Sequence, residues 1–310
     1  MQCAASRYAR QDPSAGALLP AGELDPPGER DHDAERREIL ERWEASAAGW
    51  GRQRDVWSEQ TSPVTTWLLA AARLRPGLRV LDLAAGPGEV GFAAARLIEP
   101  GGELICSDQS EAMVELARAR GSALGLTNVT YRVLGGEWID LELASVDAVL
   151  CRWGYMLMVD PAAALRETRR VLRSGGRLAL AVWDVAESNP WLTVPLEVLG
   201  EHGLWGPAPE GSPGPLALSD RQLLRSMLEE AGFTEIELDA VEISRDAPDF
   251  DSWWATHLDL SWSTRTAFEA ADEAQIESIE SELAARLAPY TAAGGALSVP
   301  GRALLAAAEA

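Results

Sequence analysis

Cysteine is scarce in this chain of 310 residues, which contains only Cys3, Cys106 and Cys151. Their spacing is not that of a metal-binding cluster, so we expect no metal ion held by cysteines. Cys106 and Cys151 stand inside apolar runs, where a thiol packs as a small hydrophobic side chain. This usage indicates a reducing, cytoplasmic setting.

Positive charge is scarce as well, because 27 basic residues stand against 48 acidic ones, giving a net charge of −21. Such a surface repels polyanions, so nucleic acid and anionic membrane surfaces are poor partners. No apolar run reaches the roughly 18 residues of a membrane span, and Ala17–Leu19 is broken by Pro20 before it reaches signal-peptide length. What is left is a globular protein with one large domain, or one domain and an insert.

The stretch Arg79–Gly91 has the pattern around which the rest of the chain is organised. An apolar, strand-like run that contains Asp82 ends at Leu83, a loop of small residues follows, and a helical segment begins near Val90. A loop without bulky side chains lets a ligand lie against backbone N–H groups, which is how a strand, glycine turn and helix hold a nucleotide-like cofactor. The stretch therefore predicts a cofactor site.

The glycines alone do not identify the cofactor. Gly86–Gly91 matches the pattern G-x-G-x-x-G, and Asp108 follows about 20 residues later, where nicotinamide and flavin enzymes carry a ribose-binding acid. Asp82, however, places a carboxylate at the end of the strand, where it would repel a pyrophosphate and suit the amino group of an amino-acid-like ligand. An NAD(P)-dependent oxidoreductase stays open as the alternative at this point.

Strand and helix signals alternate between Arg79 and Trp183. Helix starts are marked by capping residues, such as Ser110 and the pair Asp160-Pro161. Such alternation predicts a parallel sheet with helices on both faces. The predicted strands are Arg79–Leu83, Glu103–Ser107, Val129–Leu134, Val146–Cys151 and Arg177–Trp183.

The flanking regions carry weaker signals. Residues 1–32 are rich in proline, glycine and charge, and we expect them to form a disordered tail. Two helices are predicted next, one from about Asp33 and one from Pro63 to Leu74. The elements expected after Trp183 are a short amphipathic piece at Trp191–Leu199, a capping box at Ser219–Gln222 that opens a helix, a sixth strand at Phe233–Val241, an irregular segment at 245–272, a helix at Ala274–Leu287 and, from Ala296, a seventh strand or a frayed helix.

Four motifs together point to a family. They are Asp82–Gly88, in which an acid precedes alternating small residues, then Ser107–Met113, Ser145–Cys151 and Arg170–Leu178. In this order and at these spacings the chain resembles the class I S-adenosylmethionine-dependent methyltransferases, and most closely their ubiquinone/menaquinone-biosynthesis-like, small-molecule branch. The resemblance implies a doubly wound, mostly parallel, seven-stranded sheet of the Rossmann-like methyltransferase fold, with S-adenosylmethionine as the cofactor.

The resemblance also implies roles for particular residues. Asp82, acting through the loop, would orient the methionine amino group, and Asp108 would accept hydrogen bonds from the ribose hydroxyls. Gln109 and Met113 would flank the adenine. The other cofactor contacts implied in this way are Ala84, Gly86 and Gly88 in the first loop, Gly136, Glu137 and Trp138 in the loop after the third strand, and Arg152 after the fourth strand.

Three positions depart from the family pattern. Ala84 stands in place of the first motif glycine, and we expect its methyl group to be tolerated. Ser174 replaces a proline in the turn before the fifth strand, which is a structural change only. Gly135 stands where many relatives have an acid, so adenine recognition is expected to pass to Glu137 or to backbone amides.

Segments outside the core would build the acceptor side of the site. By the resemblance, residues 33–75 form lid helices, residues 76–183 the Rossmann-like core, and residues 184–310 segments that cover the substrate and complete the sheet. Ordinary packing is the alternative interpretation for tryptophans at helical spacing. The substrate-lining residues implied in this way are Trp50, Trp57, Trp153 and Tyr155.

Three side chains are candidates for a general base, namely Tyr155, His202 and His257, with packing or surface roles as the alternative for each. The segment Cys151–Gly154 lacks the Asn-Pro-Pro-Tyr type of motif, which argues against N-methylation of amide or base nitrogens. The sequence thus indicates in-line methyl transfer to oxygen or carbon of an apolar or aromatic small molecule, in quinone or secondary metabolism. A non-catalytic relative that only binds the cofactor is a further alternative, and formation of a homodimer stays open.

Overall fold

The computed structural model describes residues 31–206, 208–209 and 211–310. The expected disordered tail falls almost entirely on residues 1–30, and Cys3 lies there too, so both lie outside the described residues. Within the described residues, no helix is long and apolar enough to cross a bilayer.

One sheet of seven strands runs through the described residues. The strand order is 3-2-1-4-5-7-6; strands 1 to 5 are parallel, and strand 7 is antiparallel to both of its neighbours. This confirms the predicted doubly wound, mostly parallel sheet. The strands are β1 (Arg79–Leu83), β2 (Glu103–Asp108), β3 (Val129–Val133), β4 (Val146–Arg152), β5 (Leu172–Trp183), β6 (Thr234–Ala247) and β7 (Leu297–Glu309).

Helices cover both faces of the sheet and follow the predicted starts at two places. The side chain of Ser110 accepts a hydrogen bond from the Met113 N–H, and that of Asp160 accepts one from the Ala163 N–H, as helix N-caps do. The helices of the described residues are α1 (His32–Gln60), α2 (Ser62–Ala71), α3 (Glu89–Leu97), α4 (Glu111–Ala123), α5 (Pro161–Val171), α6 (Pro190–Glu201), α7 (Arg221–Glu230), α8 (Phe250–Leu260), α9 (Trp262–Glu269) and α10 (Glu273–Leu287).

The order of strands reverses between β1 and β4, which lie side by side at the centre of the sheet. Central parallel strands are buried on both faces, and Ala148–Cys151 of β4 is accordingly a continuous buried run. In open α/β sheets the crevice outside the carboxyl ends of the strands at such a reversal is where ligands bind. The glycine loop that follows β1 therefore lies at the expected edge of the sheet.

Two predictions for the second half of the chain were wrong. The segment 245–272 is not irregular: β6 continues to Ala247 because it pairs with β7 as far as Leu297, and α8 and α9 follow it. The residue that caps α7 is Asp220 rather than Ser219, since the Asp220 carboxylate accepts hydrogen bonds from the Gln222 and Leu223 N–H groups.

The alanine-rich end of the chain is a strand and not a helix. Ala303, Leu304, Leu305 and Ala306 of β7 are fully buried between β5 and β6. Alanine has a weak strand propensity, but hydrogen bonding to a neighbour on each side decides the conformation here. The sheet thus has the last strand of the chain in its interior and β6 at its edge.

Helix α1 lies over the carboxyl ends of the central strands and is held at two places. Near its N-terminal half, the Glu44 carboxylate accepts hydrogen bonds from the Glu111 N–H (2.7 Å) and the Ala112 N–H (3.2 Å), at the start of α4. Further along, Arg52 pairs with Asp259 of α8. The two contacts place one face of α1 toward the loops that follow β1, β2 and β4.

Candidate functional site

The loop after β1 has left-handed backbone at three of its positions. The φ angles of Ala84, Gly86 and Gly88 are 54°, 53° and 91°, and Gly88 is the N-cap of α3. A Cβ built on Gly86 would meet no atom within 4 Å, so open space lies beside its backbone. The loop therefore offers room for a ligand against its main chain, at the N-terminus of a helix.

Ala84 adopts the conformation that a glycine would take at this place. A left-handed alanine costs roughly 1–2 kcal/mol, so the methyl group is accommodated with some strain. The methyl group lies close to the loop after β4, because a Cβ on Gly154 would be only 2.7 Å from it. The loops after β1 and β4 are therefore in direct contact.

Asp108 at the end of β2 ties that strand to the glycine loop. Its carboxylate accepts hydrogen bonds from the Gly86 N–H (2.9 Å) and the Ser110 N–H (3.0 Å). Burial raises the pKa of this carboxyl, and hydrogen bonds from backbone N–H groups, chiefly those of Ser110 and Gly86, oppose that shift. An ionised carboxylate has about four acceptor sites, so it can still accept from a hydroxyl group of a ligand.

The Asp82 side chain lies beneath the glycine loop and does not face the open space beside it. The carboxyl is almost completely buried, and its Oδ2 accepts a hydrogen bond from the Gly91 N–H at 2.7 Å. Burial raises the pKa of Asp82 to about 7, while the Gly91 N–H and the Arg152 charge lower it. The side chain thus fixes the first turn of α3 against β1, which is an action through the loop.

Arg152 at the end of β4 joins the sheet to α2. Its Nη1 donates hydrogen bonds to the hydroxyls of Thr61 (2.9 Å) and Thr65 (2.8 Å). Burial lowers the pKa of Arg152 to about 10, and the charge of Asp82 opposes this shift. The arginine is therefore a buried, hydrogen-bonded cation beside the two central loops.

Of the residues expected around an adenine, two lie together at the start of α4, and the third is hydrogen-bonded elsewhere in the protein. Met113 is buried at the start of α4, and Gln109 is half-buried beside it. Glu137 uses its carboxylate within the protein: Oε1 accepts from the Val159 N–H (2.8 Å) and Oε2 pairs with Arg36 (2.6 Å). These contacts argue against Glu137 as a contact to the base.

The loop after β3 contains the other two residues implied on the adenine side. Trp138 is the most exposed large apolar residue described, at 78% of its full accessibility. Gly136 lies against Met158, whose methyl group a Cβ on this glycine would overlap. Gly135, in contrast, faces open space, which leaves its backbone accessible.

Tryptophan rings from α1 and from the ends of β4 and β5 form one connected cluster. The ring centroids of Trp50 and Trp57 are 5.4 Å apart, and those of Trp57 and Trp153 are 5.1 Å apart. Trp153 stacks on Trp183 at 4.3 Å with an angle of 15° between the planes. We call Trp43, Trp50, Trp57, Trp153, Trp183 and Trp191 the tryptophan cluster.

Trp153 is held in a strained conformation. Its φ is 60°, a left-handed value that bulky residues rarely adopt, and its N–H donates to the Ala181 carbonyl at 2.7 Å. Strain of this kind costs about 1–3 kcal/mol and persists only where the surroundings impose it. The turn after β4 thus directs the indole of Trp153 into the tryptophan cluster, beside Trp50 and Trp57.

The structure separates the three candidate bases from one another. Tyr155 is fully buried in the core, its hydroxyl lies 2.6 Å from that of Thr168, and burial raises its pKa well above the usual value. His202, at the end of α6, lies 3.3 Å from Glu282 of α10. The position of Tyr155 argues against a contact with substrate and against proton abstraction.

His257 of α8 adjoins the tryptophan cluster but is a poor proton acceptor. Its ring stacks on those of Trp253 and Trp254, and its Nε2 lies 3.3 Å from the hydroxyl of Thr264. Burial lowers the pKa of His257 to about 3, and the positive charge of Arg245 adds to this shift. The imidazole is therefore neutral and engaged in packing.

Two residues near the site were missed in the sequence. Glu44 caps α4 from α1, and nothing local indicates which helix a carboxylate on an amphipathic helix will reach. Arg245 lies on β6 with its guanidinium 4.5 Å from the ring of Trp57. The predicted strand ended at Val241, although the inward positions Val241 and Ile243 continue in steps of two to Arg245. Among the described residues, no group of three or more potential ligands is placed to hold a metal ion.

Known proteins are similar to parts of this chain. A family model described as a methyltransferase domain matches residues 74–232. The ubiquinone/menaquinone biosynthesis C-methyltransferase UbiE of Ralstonia pickettii is 30% identical over 182 residues, which cover 54% of this chain and 72% of that protein. An uncharacterised methyltransferase of Mycobacterium tuberculosis is 39% identical over 139 residues, covering 44% of this chain and 51% of the relative. The chain thus spans about half the length of the mycobacterial protein.

Solved structures show the same fold. A crystal structure of a putative methyltransferase from Bacillus halodurans superposes with a TM-score of 0.54 at 21% identity, covering 79% of this chain and 97% of the other. At this identity the likeness speaks for the architecture alone. The strand order of the sheet and the match to the family model therefore both indicate a methyltransferase domain.

Proposed function

Since the chain belongs to the S-adenosylmethionine-dependent methyltransferases, we propose that it transfers the methyl group to oxygen or carbon of an apolar or aromatic small molecule. The family match decides between the two cofactor classes that the glycine pattern left open, and the cofactor is S-adenosylmethionine. When bound, this cofactor supplies a methyl group on a positively charged sulfur, which is already a strong electrophile. What the chain adds is binding, orientation and the exclusion of water.

The residues of the glycine loop fit the cofactor. The open space beside Gly86 and the remaining acceptor capacity of Asp108 suit a flat nucleoside that carries ribose hydroxyls. This open loop, braced by Asp108, is the observation that carries the proposal. Asp82 would act indirectly, by fixing the loop through the Gly91 N–H.

The acceptor side of the proposed site is the tryptophan cluster. Trp153 follows β4 directly and Trp183 is the last residue of β5, so both rings stand at the edge of the sheet where the glycine loop lies. Aromatic faces bind flat apolar molecules and exclude water from a reacting methyl group. The similarity to UbiE, a quinone-biosynthesis C-methyltransferase by name, supports an acceptor of this kind.

Positioning, and not an imidazole or phenol base, would account for catalysis. Tyr155 is engaged with Thr168, His257 is neutral within stacked rings, and His202 lies against Glu282. An acceptor that is already ionised, or activated by an adjacent oxygen, needs no separate base for attack on a sulfonium methyl group. The proposed reaction is therefore a direct in-line displacement.

The wider setting belongs to the proposal as well. Residues 33–75 would act as the lid, 76–183 as the cofactor-binding core and 184–310 as the cover of the acceptor. Cys106 and Cys151 are buried free thiols, which suits a reducing cytoplasm. A natural-product or quinone pathway is the proposed context, and the net charge of −21 disfavours nucleic acid as the methylated partner.

Two measurements test the proposed function. Calorimetric titration with S-adenosylhomocysteine, and separately with NADH, should show binding of the first only. Formation of S-adenosylhomocysteine from S-adenosylmethionine is then followed across a panel of phenols, hydroxybenzoates and quinols. Cofactor binding without turnover on any panel member would point to a binding protein that does not transfer methyl groups. Turnover only on amines would contradict the proposal that oxygen or carbon accepts the methyl group.

A further inference from the structure

Arg245 is a buried cation that forms no salt bridge with a carboxylate of the described residues, and the charge of the adjacent Asp246 only partly offsets its burial. Only 4% of the residue is accessible, and its Nη1 has no hydrogen-bond partner within the described parts of the chain. The guanidinium lies over two rings, 4.5 Å from the centroid of Trp57 and 5.6 Å from that of Trp191. The neighbouring Asp246 directs its carboxylate to the hydroxyls of Ser244 and Ser298 instead.

The position of Arg245 on β6 is one that strand periodicity assigns to an apolar side chain. Ile243, two residues earlier, is buried on the same face, and α1 covers that face through Trp57. Burial of an unpaired charge is expensive, and it lowers the pKa of Arg245 to about 9. Stacking on tryptophan offsets only part of that cost, whereas an anion at the guanidinium edge would offset far more.

Unpaired donors are gathered at the same place. The indole N–H groups of Trp50, Trp57 and Trp153 are buried and have no acceptor among the described residues. All three rings belong to one contact series, since Trp57 lies 5.4 Å from Trp50 and 5.1 Å from Trp153. Buried polar groups in native proteins are normally satisfied, so a set that consists only of donors calls for an acceptor that the described residues do not supply.

The negative net charge of the protein makes a buried cation next to the tryptophan cluster more informative. With a net charge of −21, the chain repels anions at long range, so an anionic ligand needs a dedicated cation. Arg152, the other buried arginine here, already donates to Thr61 and Thr65. Arg245 is therefore the cation next to the tryptophan cluster whose Nη1 still lacks an acceptor.

We propose that Arg245 and the indole N–H of Trp57 bind an anionic oxygen, a carboxylate or an ionised phenol, carried on the aromatic ring of the methyl acceptor. The inference rests on the proposed function, and it narrows the substrate class from an apolar ring to a ring with an anionic oxygen. The guanidinium edge would hold the oxygen while the tryptophan faces hold the ring. Arg245 is thus assigned to binding and orientation, not to the chemical step.

The first experiment measures binding to the protein saturated with S-adenosylhomocysteine. Calorimetric titrations compare benzoate, 4-hydroxybenzoate and 1-naphthoate with their neutral amides, and ionised 4-nitrophenol with 4-nitroanisole. At least one anion should bind about tenfold or more tightly than its neutral partner, since charge-assisted hydrogen bonds are the strong ones. The carboxylate and phenolate pairs show which source of the oxyanion the site prefers. Equal affinities within every pair, or no binding of any probe, would overturn the proposal.

Variants then assign the effect to Arg245. Arg245→Met, which keeps the apolar stem, should abolish the preference for the anion, and Trp57→Phe should weaken binding of the anions several-fold more than it weakens binding of their neutral partners. Arg225→Met removes the same charge from α7 and should leave the preference for the anion unchanged, because Arg225 is half-buried, pairs with Glu229 and donates a hydrogen bond to the Ile236 carbonyl. A preference that survives in Arg245→Met contradicts the assignment.

Two further readouts separate anion binding by Arg245 from a purely structural role and from a contact with the cofactor. Arg245→Met should unfold at the same or a higher temperature in the absence of ligand, because a costly buried charge is removed; a clear loss of thermal stability would mean that the arginine only braces the fold. Its affinity for S-adenosylhomocysteine should equal that of the unaltered protein. A joint loss of that affinity would assign the arginine to the cofactor carboxylate and overturn the proposal. Failure of the unaltered protein to bind S-adenosylhomocysteine at all would instead refute the proposed function.

Discussion

The carboxylate of Asp108 accepts a hydrogen bond from the backbone N–H of Gly86 at 2.9 Å, so the end of the second strand and the loop after the first form one unit. The ligand-binding loop is therefore braced from the strand next to it. This contact explains why an acid about 20 residues after the glycine motif can serve both the loop and the cofactor. The variants Asp108→Asn and Gly86→Ala distinguish support of the loop from contact with the cofactor.

Asp108→Asn should weaken S-adenosylhomocysteine binding by about tenfold to a hundredfold, because hydrogen bonds to a charged acceptor contribute roughly 1.5–3 kcal/mol. Titration calorimetry measures the loss. Asp147→Asn is the matched control, since the Asp147 carboxylate also accepts a backbone N–H, from Arg79 at 2.8 Å, but at the amino end of its strand. Equal affinity losses in both variants would indicate that the weaker binding comes from general destabilisation and not from a lost contact with the ligand.

Gly86→Ala should lose cofactor affinity without a clash in the protein itself. Gly86 has a φ of 53° and open space at its Cβ position, and Gly125, after α4, has a φ of 69° and the same open space. Gly125→Ala should therefore cost the same stability, about 1 kcal/mol, and leave cofactor affinity unchanged. Denaturant unfolding and calorimetry on both variants give the comparison. Unaltered affinity in Gly86→Ala would mean that the ligand does not lie against this backbone.

Asp82 should make the fold less stable as the pH rises from about 4 to about 7. Its pKa in the folded protein is raised to about 7, chiefly by burial, from an ordinary value of 3.8, so the folded chain holds a proton in this window that the unfolded chain has lost. A state that binds more protons is weakened when the pH increases. Urea unfolding at several pH values should show this fall in the free energy of unfolding.

The test variant for this effect is Asp82→Asn, which cannot ionise and should flatten the pH dependence. The slope should be reduced but not abolished, because burial also raises the pKa of Glu89 and Asp108. An unchanged slope in Asp82→Asn would show that Asp82 does not retain its proton in the folded state.

Gly49→Ala should loosen α1 from α8. A Cβ at Gly49 would overlap the backbone carbonyl oxygen of Asp259, so the two helices cannot keep their separation. Overpacking of this kind costs about 1–3 kcal/mol. Because the same helix caps α4 through Glu44, cofactor affinity should fall as well. Unfolding and titration experiments measure both effects.

Gly51→Ala, two residues along α1, supplies the contrast. Its Cβ would meet only the end of the Leu116 side chain, at 3.2 Å, which can move aside. Replacing a helical glycine by alanine contributes about 0.5–1 kcal/mol, so this variant should be as stable as the parent or more so. Equal behaviour of the two variants would contradict the close approach of α1 and α8 at Gly49.

Tyr155→Phe should retain methyl transfer and lose stability. The variant removes a buried hydroxyl that lies 2.6 Å from the Thr168 hydroxyl, which costs about 0.5–1.5 kcal/mol. Thr168 keeps its other hydrogen bond, to the Ala164 carbonyl, so no buried donor is left unpaired. The rate constant kcat and the unfolding midpoint are measured together. A large fall in kcat with an unchanged midpoint would restore Tyr155 as a proton acceptor.

Local sequence signals were sufficient for the central sheet and insufficient for its edge. Apolar runs such as Ala148–Cys151 can be read directly, because a parallel strand buried on both faces has no polar alternation to interpret. The alanine-rich strand β7 could not, since its conformation comes from pairing with β5 and β6 and not from its own propensity. The same holds for β6, which continues past Val241 only because β7 lies beside it.

The residues of the candidate site likewise fall into those that local sequence signals identify and those whose contacts come from distant segments. The glycine loop and Asp108 were predicted because their spacing along the chain determines their geometry. The partners of Glu137 and Arg245 come from α1, which is distant in the sequence, and no periodicity reports which helix will cover which strand. The burial of Tyr155 was not predictable for a related reason: a residue that follows a central strand can turn into the core as easily as into the crevice.

The stacked pair Trp153 and Trp183, with centroids 4.3 Å apart and nearly parallel planes, has a consequence for observing the protein at work. Two indoles this close couple their electronic transitions, and the coupled pair produces a circular dichroism signal in the near ultraviolet that depends on their mutual angle. Because that signal reports fixed side-chain packing, any molecule that enters between or beside the rings must alter it. The protein thus carries an intrinsic optical probe at the proposed acceptor site, and occupancy can be followed there without a label.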